Sequence, residues 1–255
     1  MQYTDNSCLF AVMSTAEFRE RKEEFAYKKE MLHSLGSIRY CKAELFKECI
    51  LGTIRLPQKN EQKKAQLSFG FYLTGRKVFF VEDEGKMKAW IEKQTEMFQE
   101  VDTPKQLLLR IMEHMIEEDT LYFSHMESEL DKLEEKISGG TGSNNNFFTS
   151  LIKHRQKLSE FNIYYEQLID IAELFSTCDF YQSEQDTQGW DRFMHRVEQL
   201  QNHVHLLREN VLQIRELYQS MQDAHQNKIM AVITIVTTIF LPLTLITGWY
   251  GMNFV

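Results

Sequence analysis

The period of the apolar pattern changes three times along the chain. Ser14, with Glu17 three residues on, has the form of a capping box and predicts a charged helix through about residue 32. Four β-rich runs follow, SIRYCKAEL, CILGTIRL, QLSFGFYLT and KVFFVE, which predict strands near 37–45, 49–56, 66–74 and 77–82. Phe46-Lys47-Glu48 and Thr74-Gly75-Arg76 are the turns between them, the second a hairpin signal. A short helix near 86–101 would bury Met87, Trp90, Gln94 and Phe98 or their neighbours.

Long helices take over after that. Thr103 and Pro104 suit an N-cap and first helical position, and Leu108, Met112, Met115, Tyr122, Met126, Leu133 and Ile137 keep helical spacing to residue 138. The run SGGTGSNNN breaks the chain. A second helix, 146–176, repeats apolar positions at Leu151, Leu158, Tyr165 and Ala172, with His154, Phe161, Leu168 and Phe175 interleaved, so the two should form an antiparallel hairpin. A third helix from about 187 has the most regular seam: Val197, Leu200, Val204, Leu207, Val211, Ile214, Tyr218 and Met221. Pro and Gly are absent between Trp190 and Leu241, so this helix can run unbroken for over 50 residues. At 1.5 Å per residue that is about 75 Å or more.

Charge separates the end of the chain from the rest. All 29 basic and 37 acidic side chains lie at or before Lys228, and Ile229 to Val255 carries none. The run from Ile229 to Tyr250 is 22 residues long, about 33 Å as a helix, which is enough to cross the hydrocarbon. A buried core helix would stop sooner and show charge on one side. Trp249 and Tyr250 stand at the far end, where such rings favour headgroups, and Arg215 and Lys228 precede the span while no basic residue follows it, which places the N-terminal body in the cytoplasm. Pro242 removes a backbone donor in mid-span, near Thr237, Thr238 and Thr244, whose hydroxyls could compensate. Stepping by three or four from Asn227 gives Met230, Ile233, Thr237, Leu241, Thr244 and Gly248. One stripe thus gathers most of the polar and small groups, and it implies a partner helix or a water-filled axis. Carried backwards, the stripe meets Ala224, Ser220, Leu217 and Gln213.

Composition narrows the function. A chain 43% hydrophobic and 26% charged is globular in its body. Its net charge of −8 argues against a nucleic-acid partner, which needs clustered Lys and Arg, and favours cations. Cys8, Cys41, Cys49 and Cys178 have neither disulfide density nor CxxC spacing and read as reduced cytosolic thiols; MQYTDNSCLFAVMS lacks the features of a signal peptide. No enzyme site assembles. His203 and His205 point to different helix faces, the Gly139-Gly140-Thr141-Gly142-Ser143 run lacks the GK[ST] ending of a P-loop, and Glu117-Glu118-Asp119 and Glu134-Glu135 read as solvated faces.

Tyr250-Gly251-Met252-Asn253-Phe254, preceded by NKIM and TTIFLPLTLITGW, resembles the end of the first transmembrane helix of CorA-type divalent metal-ion channels, whose signature is Gly-Met-Asn. The order of strands, helical hairpin and stalk is also similar over essentially the whole chain. The resemblance implies an α+β cytosolic funnel domain with a long helical hairpin and a continuous stalk helix running into the membrane. Its parts would be 1–102 as the α/β domain, 103–186 as the hairpin, 187–228 as the stalk, 229–250 as the span and 251–255 as the outer end. It implies a homopentamer in the cell membrane, multi-pass in the intact family, with Mg2+ as transported and regulatory ion and no other cofactor. The selectivity motif would be Gly251, Met252 and Asn253, with Asn253 touching the hydrated ion through outer-sphere hydrogen bonds. A neutral amide suits this, since Mg2+ dehydrates reluctantly and carboxylates could trap it. Asn253 would equally suit a helix C-cap. Asn227 would sit at the cytosolic mouth, Met230, Ile233 and Leu241 at apolar narrowings, and Thr237, Thr244 and Gly248 along a more polar lining.

Two departures qualify the resemblance. Where family members carry an interfacial sensor aspartate, this chain has Arg192, with Asp191 adjacent as the candidate regulatory metal residue; a solvated charge explains Asp191 as well. Family members continue into a second transmembrane helix that the sequence lacks, so a truncated product is expected. Two functions stand: a gated divalent-cation channel, or a membrane-tethered structural or regulatory subunit that does not conduct alone.

Overall fold

The computed structural model describes residues 9–21, 25–36, 38–59, 67–94, 101–138, 145–178 and 184–251. The chain divides into two compact units, residues 1–128 with 153–208 and residues 129–152 with 209–255.

The first unit is built on a five-stranded sheet in the order β1-β5-β4-β3-β2, formed by Phe10–Met13, Lys42–Leu45, Ile50–Arg55, Ser68–Leu73 and Val78–Val81 (β1 to β5). The four predicted strands are present, with the first trimmed from 37 to 42. Both predicted turns close antiparallel pairs: Phe46 donates to the Cys49 carbonyl, and Thr74 to that of Lys77, at 2.9 Å each. β1 was not foreseen. Four residues with no turn before them give little local signal, and this strand gains its ladder by pairing parallel to β5.

The inner strands β3, β4 and β5 are buried on both faces, while the edge strand β2 is half-buried to exposed. On one side Met13, Phe18, Phe25, Met31, Cys49, Leu51, Tyr72 and Val81 form a core roofed by α1 (Thr15–Glu20) and α2 (Lys28–Leu35). The capping box at Ser14 is present: Ser14 N donates to Glu17 Oε2 at 2.7 Å and Glu17 N to Ser14 Oγ at 3.2 Å. The single helix expected from 14 to 32 is instead two. Between them Phe25 packs 4.5 Å from Phe18 and edge-on to Tyr72 and Phe79 at 5.0 and 4.9 Å, and Tyr27 takes a left-handed conformation before α2. Three aromatic contacts outweigh the helical propensity of a charged run. α3 (Lys86–Lys93) covers the first part of the helix expected near 86–101 and buries Met87 and Ile91; Trp90 and Gln94 are half-buried, and residues 95–100, Phe98 among them, lie outside the described residues.

The helix expected over 103–138 is also two, α4 (Pro104–Met115) and α5 (Asp119–Ser138). The N-cap at Thr103 holds, donated to by Gln106 N at 3.1 Å. At the break the amides of Ile116, Glu117 and Asp119 bond three residues back, to Glu113, His114 and Ile116, a tighter winding that ends a helix. The turn delivers Asp119, 1% exposed, to Tyr165, whose hydroxyl donates to Oδ2 at 2.7 Å, and to Lys59, whose Nζ lies 2.5 Å from Oδ1. Beyond the break the buried row resumes at Phe123, Met126 and Leu130, not at Tyr122. Asp119→Asn keeps an acceptor for Tyr165 but removes the charge from the Lys59 pair. The expected cost is about 1–2 kcal/mol in urea unfolding, and a change below a few tenths would show the pair to be idle.

α6 (Asn145–Thr177) follows the predicted pattern, with Leu151, Leu158, Phe161, Tyr165, Leu168, Ala172 and Phe175 buried and His154 half-buried. In the first unit it lies antiparallel to α5: Asp119 meets Tyr165, and Phe123 meets Phe161 at 5.0 Å. Cys41, between this helix and the sheet, donates its amide to Gln167 Oε1 at 2.7 Å. Burial pushes its thiol up from 9.0 to about 12, against a smaller lowering by Arg55. An unfolded thiol ionises near 9.0 while the folded one stays protonated, so the folded state holds more protons and loses stability as pH rises through that window. Urea midpoints should fall more steeply between those pH values than in Cys41→Ser; equal slopes would refute the assignment.

α7 (Glu184–Gly251) is one helix of 68 residues. In the first unit its seam is buried at Val197, Leu200, Val204 and Leu207, and Trp190 stacks on Phe175 at 4.3 Å. In the second unit Val211 and Ile214 are buried with Ile137, Phe147 and Leu151, and Tyr218 stacks on Phe147 at 5.1 Å. The seam ends there: Tyr218 is half-buried and Met221 is 37% exposed.

Candidate pore helix

From Gln219 to Gly251 every residue of α7 is exposed. Among the described residues this is the one helix long and apolar enough to cross a membrane, with a mean hydropathy of 2.5 in its apolar window. Ile229, Met230, Ile233, Phe240, Leu241 and Leu245 are 47–73% exposed. Twelve or more large apolar side chains in one such run far exceed an ordinary surface patch. Lipid or other protein must cover them.

Seven of the predicted pore residues share one face of this surface. At 100° per residue Asn227, Met230, Ile233, Thr237, Leu241, Thr244 and Gly248 fall within an arc of about 120°, and all are exposed. Gly251 ends the described helix, exposed; Met252 and Asn253 lie outside the described residues. Of the stripe carried backwards, Gln213, Ser220 and Ala224 are exposed and Leu217 is half-buried.

The threonines behave differently from the expected compensation of Pro242. Thr237 Oγ1 donates to the carbonyls of Ile233 and Thr234 at 3.0 Å each, Thr238 to Thr234 at 2.7 Å and Thr244 to Phe240 at 2.8 Å. None turns to the Thr238 carbonyl, which is the one that loses its i+4 amide to Pro242. This back-bonding satisfies a hydroxyl proton inside an apolar span. It leaves the oxygen lone pairs and the methyl of Thr237 and Thr244 as what the stripe presents, a surface that accepts hydrogen bonds and does not donate them. Water held around a cation offers donors, so such a surface matches it.

Gly248 adds a constraint from outside the chain. A Cβ placed there would meet nothing within 4 Å, while glycine inside a helix costs about 1 kcal/mol relative to alanine. The chain itself has no use for the missing methyl, whereas a neighbouring helix or a narrow axis would.

Asp191 is half-buried on α7 and Arg192 exposed, its Nε donating to the Gln188 carbonyl at 3.3 Å. Among the described residues no group of three or more His, Cys, Asp or Glu stands together in a way that could hold a metal ion. The described residues of a single copy therefore assemble no complete metal site around Asp191.

Residues 29–255 match the family model described as CorA-like Mg2+ transporter protein. The chain is 41% identical over 64 residues to the cobalt/magnesium transport protein CorA of Thermotoga maritima; that segment is 25% of this chain and spans 18% of the relative. In fold it is similar to the complete structure of the CorA magnesium transporter from Methanocaldococcus jannaschii, with a TM-score of 0.79 at 19% identity, covering 96% of this chain and 80% of that one. The full-length CmaX protein is similar at a TM-score of 0.77 and 17% identity, covering 96% and 77%.

Proposed function

Because the chain belongs to the CorA-like Mg2+ transporter protein family, we propose that it is the pore-forming subunit of a gated channel for divalent metal cations, Mg2+ above all. The observation that carries this is the wholly exposed apolar end of α7, with its acceptor-bearing stripe on one face. Five copies would set five such stripes around an axis in the cell membrane, with the N-terminal body in the cytoplasm. The division at 102, 186, 228 and 250 then separates α/β domain, hairpin, stalk, span and outer end.

In this reading Asn253 rings the outer mouth with carboxamides, and Gly251 and Met252 shape the turn that presents them. The hydrated ion passes Gly248, where the missing side chain leaves room, and Thr244 and Thr237, whose hydroxyl oxygens accept from its water shell. Met230, Ile233 and Leu241 form apolar rings that close the path by excluding water, and Asn227 meets the ion at the cytosolic mouth. Intracellular Mg2+ bound between subunits, with Asp191 as a candidate ligand, would hold these rings closed.

The test is Mg2+ flux into liposomes containing the full protein and an entrapped Mg2+-sensitive dye. Flux that falls when internal Mg2+ rises supports the channel. Absence of flux, with the protein inserted and oligomeric, would replace it by the second reading, a membrane-tethered subunit that does not conduct alone.

A further inference from the structure

The first turn of α4 carries charge of the wrong sign for a helix start. Helix N-termini favour anions, yet this one has no acidic residue in its first turn and buries Lys105 there. The surrounding backbone donors are settled. Pro104 has no N–H, Gln106 N donates to Thr103 Oγ1 at 3.1 Å, and Leu107 N to the Thr103 carbonyl at 3.0 Å. Gln106 turns its side chain back and accepts the Asp102 amide through Oε1 at 3.1 Å. The Lys105 amide is the one left over, with no partner among the described residues. The side chain of Lys105 is also unanswered: the residue is 5% exposed, and its Nζ is buried with no hydrogen-bond partner. Asp102, close in sequence, is exposed, and Asp186, buried at the start of α7, does not bond it.

An enclosed ammonium without a counter-charge is costly to a fold, and the positive end of α4 adds to that cost. A helical side chain tilts toward the N-terminus of its own helix, so the ammonium and the unpaired amide stand at the same end. A buried water would bond the ammonium but leave its charge uncompensated, so the missing group is an anion. Enclosure limits its size. Leu109, one turn along the same face as Lys105, lies so near α7 that a Cβ on Gly189 would stand 2.7 Å from its Cδ2. A contact that tight excludes a phosphate ester and admits a single atom. We propose that a halide binds at the N-terminus of α4, with Lys105 Nζ and the Lys105 amide as its donors. The site is read by binding alone, so it stands or falls separately from ion conduction.

Thermal melting of the full protein in detergent tests it, in Mg2+-free buffer at constant ionic strength with potassium gluconate exchanged for potassium chloride. Chloride several-fold above its Kd should raise the melting temperature by about 2–4 °C, and bromide should act alike. Lys105→Met, which keeps the length of the side chain and removes its charge, should melt above the parent in gluconate and ignore chloride. Crystals grown in bromide should show an anomalous peak beside Lys105 Nζ. Equal melting of the parent in the two salts would overturn the site and leave a buried water as the partner. A chloride response kept in Lys105→Met, or no bromide peak at Nζ, would overturn it as halide binding elsewhere. Lys105→Met melting below the parent in gluconate would also overturn it, by showing that the chain supplies the counter-charge itself, through Asp186.

Discussion

Valine at position 52 is expected to leave the sheet of the first unit unfolded. Gly52 lies opposite Phe71 in the β3–β4 ladder. A Cβ there would stand 2.2 Å from Phe71 Cζ and 2.5 Å from the Lys42 carbonyl oxygen. The ring could swing only by leaving a fully buried position against Phe175, and the carbonyl belongs to the paired strand β2 and cannot retreat without opening the ladder. Overpacking of a core by one methyl already costs about 1–3 kcal/mol, and here two further methyls and a backbone clash are added. That is a large part of the whole stability of a domain. The measurement is protease resistance and circular dichroism of the purified protein. Gly248→Ala serves as control, since nothing in the chain opposes a methyl there. A folded Gly52→Val protein with native melting would show that β2 and β3 separate more easily than their register implies.

The largest effect on transport is expected at Asn253. If five carboxamides meet the hydrated ion at the outer mouth, Asn253→Ala removes at least one hydrogen bond per subunit. At a net of about 1 kcal/mol each, the loss is several kcal/mol, and each 1.4 kcal/mol is a factor of ten. Mg2+ flux should therefore fall by two orders of magnitude or more, with folding and oligomeric state unchanged, because the residue stands after the last described turn of α7. Asn253→Asp keeps the acceptors and adds charge; it should retain ion binding and slow release. Flux within a factor of two of the parent in Asn253→Ala would remove the selectivity role and leave the helix C-cap as the account of this residue.

How much of this could be read from residues alone depended on where the deciding partner lies. The β-hairpins were legible because Thr74-Gly75-Arg76 and Phe46-Lys47-Glu48 carry their own turn chemistry. α7 was legible because no Pro or Gly stands between Trp190 and Leu241, and the family because Tyr250-Gly251-Met252-Asn253-Phe254 is contiguous. The two helices read as too long fail for one reason: Phe25 and Asp119 are drawn away by partners far along the chain, Tyr72 with Phe79 and Tyr165 with Lys59. The stripe on α7 followed from spacing, whereas the direction of each threonine hydroxyl did not, since back-bonding and outward donation leave the same letters. The tie between the sheet and α6 had no local signal at all: Cys41 and Gln167, which make it, are 126 positions apart.

The parallel pairing of β1 sets an order of events during synthesis. Phe10 finds its register opposite Val78, so the first strand of the sheet has no ladder partner until nearly seventy further residues have left the ribosome. At 5–20 residues per second that is about 3–14 s. During this interval the apolar FAVM segment is held only by whatever meets it first, and the meander β2–β3–β4–β5, made of neighbours in sequence, can form before it. The strand that begins the fold in space is thus the one that joins it last, and the nascent chain offers a short β-prone segment to chaperones throughout the synthesis of its own sheet.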